Sequence, residues 1–339
     1  MDYININIIM KIVVGIVASD NDNYTDFKKV WIKNIVQLKK DPVLSQLYDF
    51  YFLYSDSAGV SKRIMYKDTE QVLYVDFYDK ENVFETVSHG ILERTMSFFN
   101  YMINQFNLVN DASYQQHKEN GLFFVRTNLS TLFDFKLMKR WFVDKPKVNF
   151  FGGSFNGVYN GLYTTISGTN LILSLDSMMY LAFNKDKIDM SFYLEDEAIS
   201  QLIMNSLNVF TINVKRLDFI EMEEVHVSPE YIWPATPNSI IYHKTKMGDE
   251  DIFTFRFKTF TRDNDVIVMN RIVDELWKDD YSLNNMVKNV SNMYDPPLIL
   301  SEEAPAYGDL YSKKSFRIIN LECNKSNNTE YDLVLEKIE

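Results

Sequence analysis

The chain has 339 residues, 46% hydrophobic and 15% aromatic, with few glycines (11) and prolines (8). That supports one large folded core, or a domain with an appendage, and excludes a disordered or low-complexity protein. A net charge of −12 disfavours nucleic acid and anionic lipid as partners, and the single cysteine, Cys323, excludes an internal disulfide or a cysteine zinc cage and suits a reducing, cytoplasmic compartment.

In chain order, the apolar run Lys11–Ser19 reads as a first strand covered on both faces. Lys11 interrupts the run that would otherwise resemble a signal peptide, and no stretch reaches the length of a membrane span. A helix is expected over Tyr24–Leu38, where Phe27, Val30, Trp31, Asn34 and Ile35 recur at helical spacing. Strands are expected at Asp49–Asp56 and Val72–Phe77. The longest periodic segment, Asn82–Phe106, is read as one helix with Phe84, Val87, Ile91, Thr95, Phe98, Met102 and Phe106 on its buried face. Gly121–Asn128 is a fourth strand, followed by a helix over Leu132–Phe142 capped by Ser130. After a glycine-rich stretch, "ISGTNLILS" ends in a strand and "LDSMMYLAF" is helical. Leu194–Leu207 is a helix with an acidic first turn. Strands at Ser239–His243 and Ile252–Lys258, a helix over Asp263–Trp277 and weak strands near 314–321 and 331–335 complete the pattern. Alternating strands and helices imply an α/β fold with a mostly parallel twisted sheet flanked by helices. In such sheets ligands lie beyond the carboxyl ends of the strands.

Five short stretches place polar chemistry at such ends. Asp76 and Asp79 lie between a strand and a helix, where, taken alone, a turn plus an N-terminal helix cap accounts for them. Arg126, in Arg126-Thr127-Asn128, suits either a salt bridge or anion binding. Gly168, between Ser167 and a β-branched run, allows a close backbone approach or a tight bend. Glu195, Asp196 and Glu197 are either solvated partners of the helix dipole or the seat of a catalytic base. His243 and Lys244, with Arg256 and Lys258 on one strand face opposite two phenylalanines, are either an exposed face or a basic patch.

Together, the order of these stretches resembles the GT-A glycosyltransferases of the β-1,3-galactosyltransferase type. The carriers are the Asp76/Asp79 turn before the long helix, "RTNLST", "SGTNLILS" and "EDEAI". The pattern is closer still to glycosyltransferase-like proteins of large DNA viruses and some bacteria, and it covers roughly residues 10 to 280. The resemblance implies a GT-A-like domain over 1–280 with a small irregular C-terminal appendage, 281–339, packed on it. It also implies an inverting transfer from a UDP- or GDP-linked sugar to an acceptor hydroxyl. Asp196 would be the general base, with Glu195 as its neighbour. Ala18, Ser19 and Asp20 would line the nucleotide, with Asp76 near it, and Ser167 and Gly168 would approach donor sugar and acceptor.

The family's metal-binding Asp-x-Asp motif is replaced here by Arg126-Thr127-Asn128. Either Arg126 does the work of Mn²⁺ or Mg²⁺ on the leaving diphosphate, helped by His243, Lys244, Arg256 or Lys258, or a metal binds through Asn128, His243 and an acid elsewhere. Other Asp-x-Asp triplets start at Asp20, Asp249 and Asp263; only the first sits at a strand end. A non-catalytic carbohydrate- or nucleotide-binding module of the same fold is the alternative.

Overall fold

The computed structural model describes residues 10–18, 24–56, 63–67, 70–76, 87–159, 163–189, 194–207, 209–214, 216–222, 239–241, 252–258, 262–291, 316–323 and 331–337. The elements are β1 (Lys11–Val17), α1 (Thr25–Lys39), α2 (Pro42–Leu47), β2 (Tyr48–Asp56), β3 (Arg63–Lys67), β4 (Glu70–Asp76), α3 (Val87–Gln105), α4 (Asp111–Asn120), β5 (Leu122–Asn128), β6 (Thr131–Phe133), α5 (Phe135–Phe142), β7 (Phe150–Gly153), β8 (Phe155–Tyr159), β9 (Tyr163–Ile166), β10 (Leu171–Ser174), α6 (Leu175–Phe183), α7 (Glu195–Ser206), β11 (Phe210–Asn213), β12 (Arg216–Met222), β13 (Ser239–Ile241), β14 (Thr254–Lys258), α8 (Arg262–Leu276), α9 (Leu283–Ser291), β15 (Phe316–Cys323) and β16 (Tyr331–Lys337).

The chain is α/β. Its main sheet has the strand order β11-β7-β10-β5-β1-β2-β4-β3. β5, β1, β2 and β4 are mutually parallel, and β7 and β11 run with them, whereas β10 and β3 are reversed. Alternation along β1 explains the layering. Ile12, Val14 and Ile16 enter a core shared with α1, α2, α5, α8 and α9, while Val13 and Val17 enter a second core under α3, α6 and α7. Each such fully buried aliphatic side chain contributes about 1.5–3 kcal/mol. Gly15 faces the second core, where a β-carbon would stand 2.7 Å from Phe98 Cε1, so a side chain here would push α3 off the sheet.

A smaller sheet, β13-β12-β14-β6, joins the main one through β6, which follows β5 directly. Here the structure corrects the sequence reading. Residues Thr131–Phe133 are a buried strand paired antiparallel with β14, and the helix begins only at Phe135. Its cap is Asp134, whose carboxylate accepts the amides of Lys136 (2.9 Å) and Leu137 (3.0 Å); Ser130 instead donates to Asn128 Oδ1 (3.0 Å). Leu132 and Phe133, both in the core with Phe253, Phe255 and Phe257, gain more by pairing with β14 than by forming a first helical turn. The long helix is described from Val87 on; its expected start lies outside the described residues. Leu283, Met286 and Val290 of α9 belong to the same core as α1 and α8. β15 and β16 form a separate two-stranded sheet.

Candidate functional site

The strand order sets the location. From β1 the chain builds outward through β2 and β4, then returns to place β5 on the other side of β1. Crossovers diverge at this point, and open α/β sheets bind ligands in the crevice that results, at the carboxyl ends of the diverging strands. Ala18 follows β1 there, and Arg126-Thr127-Asn128 closes β5; Val17 and Asn128 are register partners. Because β10 is reversed, its entry turn, Ser167–Asn170, reaches the same edge: Leu171 is opposite Arg126.

At this edge Arg126, Gly168, Glu195 and Asp196 form one buried unit. Arg126 side chain alternation sends it to the face covered by α7, the face Phe124 also occupies. It is 2% exposed, donates through Nη1 to the Gly168 carbonyl (2.6 Å), and forms an ion pair through Nη2 with Glu195 Oε1. The Gly168 amide donates to Asp196 Oδ2 (2.7 Å), and the Glu197 amide donates to Asp196 Oδ1 (3.0 Å). The close approach that Gly168 permits is thus Arg126's: a β-carbon on Gly168 would lie 2.1 Å from Arg126 Nη1. The Arg126 Nε–H has no partner among the described residues. Burial, and next the Glu195 charge, push the Asp196 carboxyl above its ordinary value, against the opposing pull of the Gly168 amide and Arg126. Burial and the two neighbouring acids push Glu197 up as well.

The other face of the turn is a hydroxyl and amide network. Thr127 donates to the Thr169 carbonyl (2.6 Å), Thr169 Oγ1 donates to Ser167 Oγ (3.0 Å), and Arg216 Nη1 reaches Thr169 Oγ1 (2.9 Å). Asn170 receives the Ser154 amide (2.6 Å) and donates to Thr254 Oγ1 on β14 (3.1 Å), tying the two sheets together at the site. Asn128 Oδ1 accepts the hydroxyls of Ser130 and Thr131 (2.9 Å). The Trp31 indole donates to the Leu129 carbonyl (3.1 Å), fixing the turn after β5 to α1.

β14 arrives antiparallel to this turn: Arg256 is opposite Thr131, and the Phe257 amide donates to the Ser130 carbonyl (2.9 Å). Phe255 and Phe257 are buried and Arg256 is half-buried, in line with the expected split of strand faces. Of Lys258 and Asp76 the backbone alone is described; Asp76 is opposite Asp56 at the edge shared by β2 and β4. Ser19, Asp20, Asp79, His243 and Lys244 lie outside the described residues.

The strand end does not fit a hard divalent cation. Such ions prefer carboxylates. The end of β5 offers the Asn128 amide oxygen, already accepting two hydroxyls, beside a buried guanidinium whose charge opposes a cation. Among the described residues no group of three or more His, Cys, Asp or Glu side chains could hold a metal ion. Asp265, in one of the Asp-x-Asp triplets, is buried in the first turn of α8 and paired with Arg262 (3.0 Å).

Arg94 was not anticipated. On α3 it donates through Nη1 to the Ala18 carbonyl at the tip of β1 and through Nε to Gly90 (3.1 Å). A cation three residues beyond Ile91, on the edge of the helix's apolar stripe, was the available signal. A polar recess lined by Glu275, Lys278, Asn285 and Asn289 lies between α8 and α9, in the layer on the other face, and serves the ion pairs of Glu275. In comparison with models of protein families and with curated proteins, no family model and no curated protein matches this chain.

Proposed function

We propose that the chain is an inverting glycosyltransferase of GT-A type, moving a sugar from a UDP- or GDP-linked donor to the hydroxyl of a glycan or glycoprotein acceptor. The observation that carries this reading is Asp196: an acid at a helix start, fixed by the Gly168 amide at the switch-point edge of the sheet, with burial raising its proton affinity. The sheet order and the sequence resemblance support the same reading.

In the reaction Asp196 takes the proton of the acceptor hydroxyl. That oxygen bonds to the anomeric carbon from the face opposite the leaving group. The bond from the anomeric carbon to the diphosphate oxygen breaks, and its electron pair departs with the nucleoside diphosphate. Ala18 and the residues after it line the nucleotide, with Asp76 at the end of β4, two strands along the sheet. Ser167 and Gly168 face donor sugar and acceptor. The described contacts of Arg126 are to Glu195 and Gly168, so the charge leaving with the diphosphate is assigned to the other basic residues of the sequence pattern, His243, Lys244, Arg256 and Lys258. No step is assigned to a metal.

Incubation with a panel of nucleotide-sugars tests this. Slow donor hydrolysis is expected, lost by about 10²–10⁴-fold in Asp196→Asn with the fold intact. The second reading, a nucleotide- or carbohydrate-binding module, is favoured by the depth at which Arg126 and Asp196 are buried. Thermal stabilisation by UDP or GDP, with no turnover of any donor, would establish it instead. Among the described residues no helix is long and apolar enough to cross a membrane; the lone cysteine supports a cytoplasmic setting.

A further inference from the structure

We propose that the buried Arg126–Glu195 pair is a positioning device, which locks the Ser167–Asn170 turn to the first turn of α7 and thereby fixes the Asp196 carboxylate on the Gly168 amide. The consequence for catalysis rests on Asp196 being the base; the geometric claim does not.

Three contacts close a ring. Glu195 holds Arg126, Arg126 holds the Gly168 carbonyl, and the Gly168 amide holds Asp196, the residue after Glu195. Both backbone polar groups of Gly168 are therefore committed, one to each end of the ring. The reference point is rigid: Arg126 stands on β5, between β1 and β10 in the interior of the main sheet. The N-cap of this helix, Leu194, supplies no side-chain cap, and one turn further along Ser200 Oγ accepts the Ile166 amide (3.0 Å), a second tie between α7 and the segment entering the turn. The fit is direct, since a β-carbon on Gly168 would meet both Arg126 Nη1 and Glu195 Oε1.

Net stability is a poor reason to keep such a pair. A buried ion pair adds little over well-packed apolar side chains of the same volume, whereas removing one partner strands a charge. What the pair supplies and apolar packing does not is direction: two fork-like donors aimed at one carbonyl and one carboxylate. Lysine carries the same charge without that fork, so it cannot serve both partners in the same way. The charged groups adjoining Asp196 in this arrangement are Arg126 from β5 and Glu195 and Glu197 from α7.

The test uses Arg126→Met, Glu195→Leu, the double variant and Arg126→Lys in the full chain. The protein is labelled with [¹⁵N]glycine, and the Gly168 signal is identified among the eleven glycines by its loss in Gly168→Ala. Each single apolar variant should lower Tm, and the double should recover it. In the double and in Arg126→Lys, the Gly168 amide should lose its shift on titration of Asp196 and exchange with solvent at least about 10-fold faster. Donor turnover should fall by about 10²-fold in kcat with KM little changed, even where Tm has returned. A double variant that keeps wild-type exchange and titration at Gly168 would overturn the proposal. So would a purely structural outcome, in which kcat recovers together with Tm. If Asp196→Asn or the wild-type chain shows that Asp196 is not a base, the glycosyltransferase reading fails, and the Gly168 amide still decides the positioning claim.

Discussion

Gly168 and Arg126 occupy each other's space: the point where a Gly168 β-carbon would stand is 2.1 Å from Arg126 Nη1 and 3.1 Å from Glu195 Oε1. Gly168→Ala should therefore destabilise the chain by about 1–3 kcal/mol through overpacking, read from urea unfolding. Because the obstacle is a side chain, trimming Arg126 to alanine in the same molecule should return less than additive loss.

Asp196→Asn should be more stable than the wild type at neutral pH. Its folded carboxyl is raised above 3.8, first by burial and then by Glu195. The folded state therefore holds this proton more tightly than the unfolded chain. Stability due to Asp196 falls as pH rises from the ordinary carboxyl value through the raised one, and the ionised group remains a cost above it. The gain in Tm over wild type should appear above that window and shrink as pH falls through it. Donor turnover should show the opposite slope, rising as Asp196 loses its proton.

Asp134→Ala should cost about 1–2 kcal/mol, because it releases two amides at the start of α5. Asp134→Ser should keep most of that, since a hydroxyl also caps. Ser130→Ala should stay within about 0.5 kcal/mol, as its hydroxyl serves only Asn128 Oδ1 among the described contacts. Thermal or urea unfolding of the three variants would settle which residue begins the helix.

Nucleoside diphosphate should stabilise the chain equally with Mn²⁺ or with a chelator. The end of β5 carries Arg126 where a carboxylate would be needed. A thermal-shift panel of UDP, GDP and their sugars, with Mn²⁺ or EDTA, checks this. A stabilisation that appears only with the metal would show that the side chains at 20, 22 or 243 build a cation site.

Much of the frame could be read locally. β1 and α1 follow from an unbroken apolar run and from Phe27, Trp31, Ile35 and Leu38 at helical spacing, signals that need no distant partner. β6 could not, because Thr131–Phe133 becomes a strand only by pairing with β14, some 120 residues further on. α4 was passed over because none of its residues is buried, so it has no apolar stripe to detect. α2 was passed over too, although its signal was there: Asp41 followed by Pro42 is a helix start, and Asp41 caps Val43 and Leu44. At the site, the residue types were informative and the pairings were not. An arginine at a strand end pointed to an anion, and the anion proved to be Glu195, 69 positions away in the chain.

The reversed direction of β10 divides labour along the edge of the sheet. β5, β1, β2 and β4 deliver their exits to this edge, while β10 delivers its entrance, fed by the β8–β9 hairpin. Insertions in that hairpin therefore lengthen a path that ends at Gly168 without moving β5 or the register that sets Arg126. Such an insertion leaves the Arg126–Glu195 spacing untouched, so under the proposed function this hairpin is where a change in acceptor preference would be introduced at least cost to the buried pair.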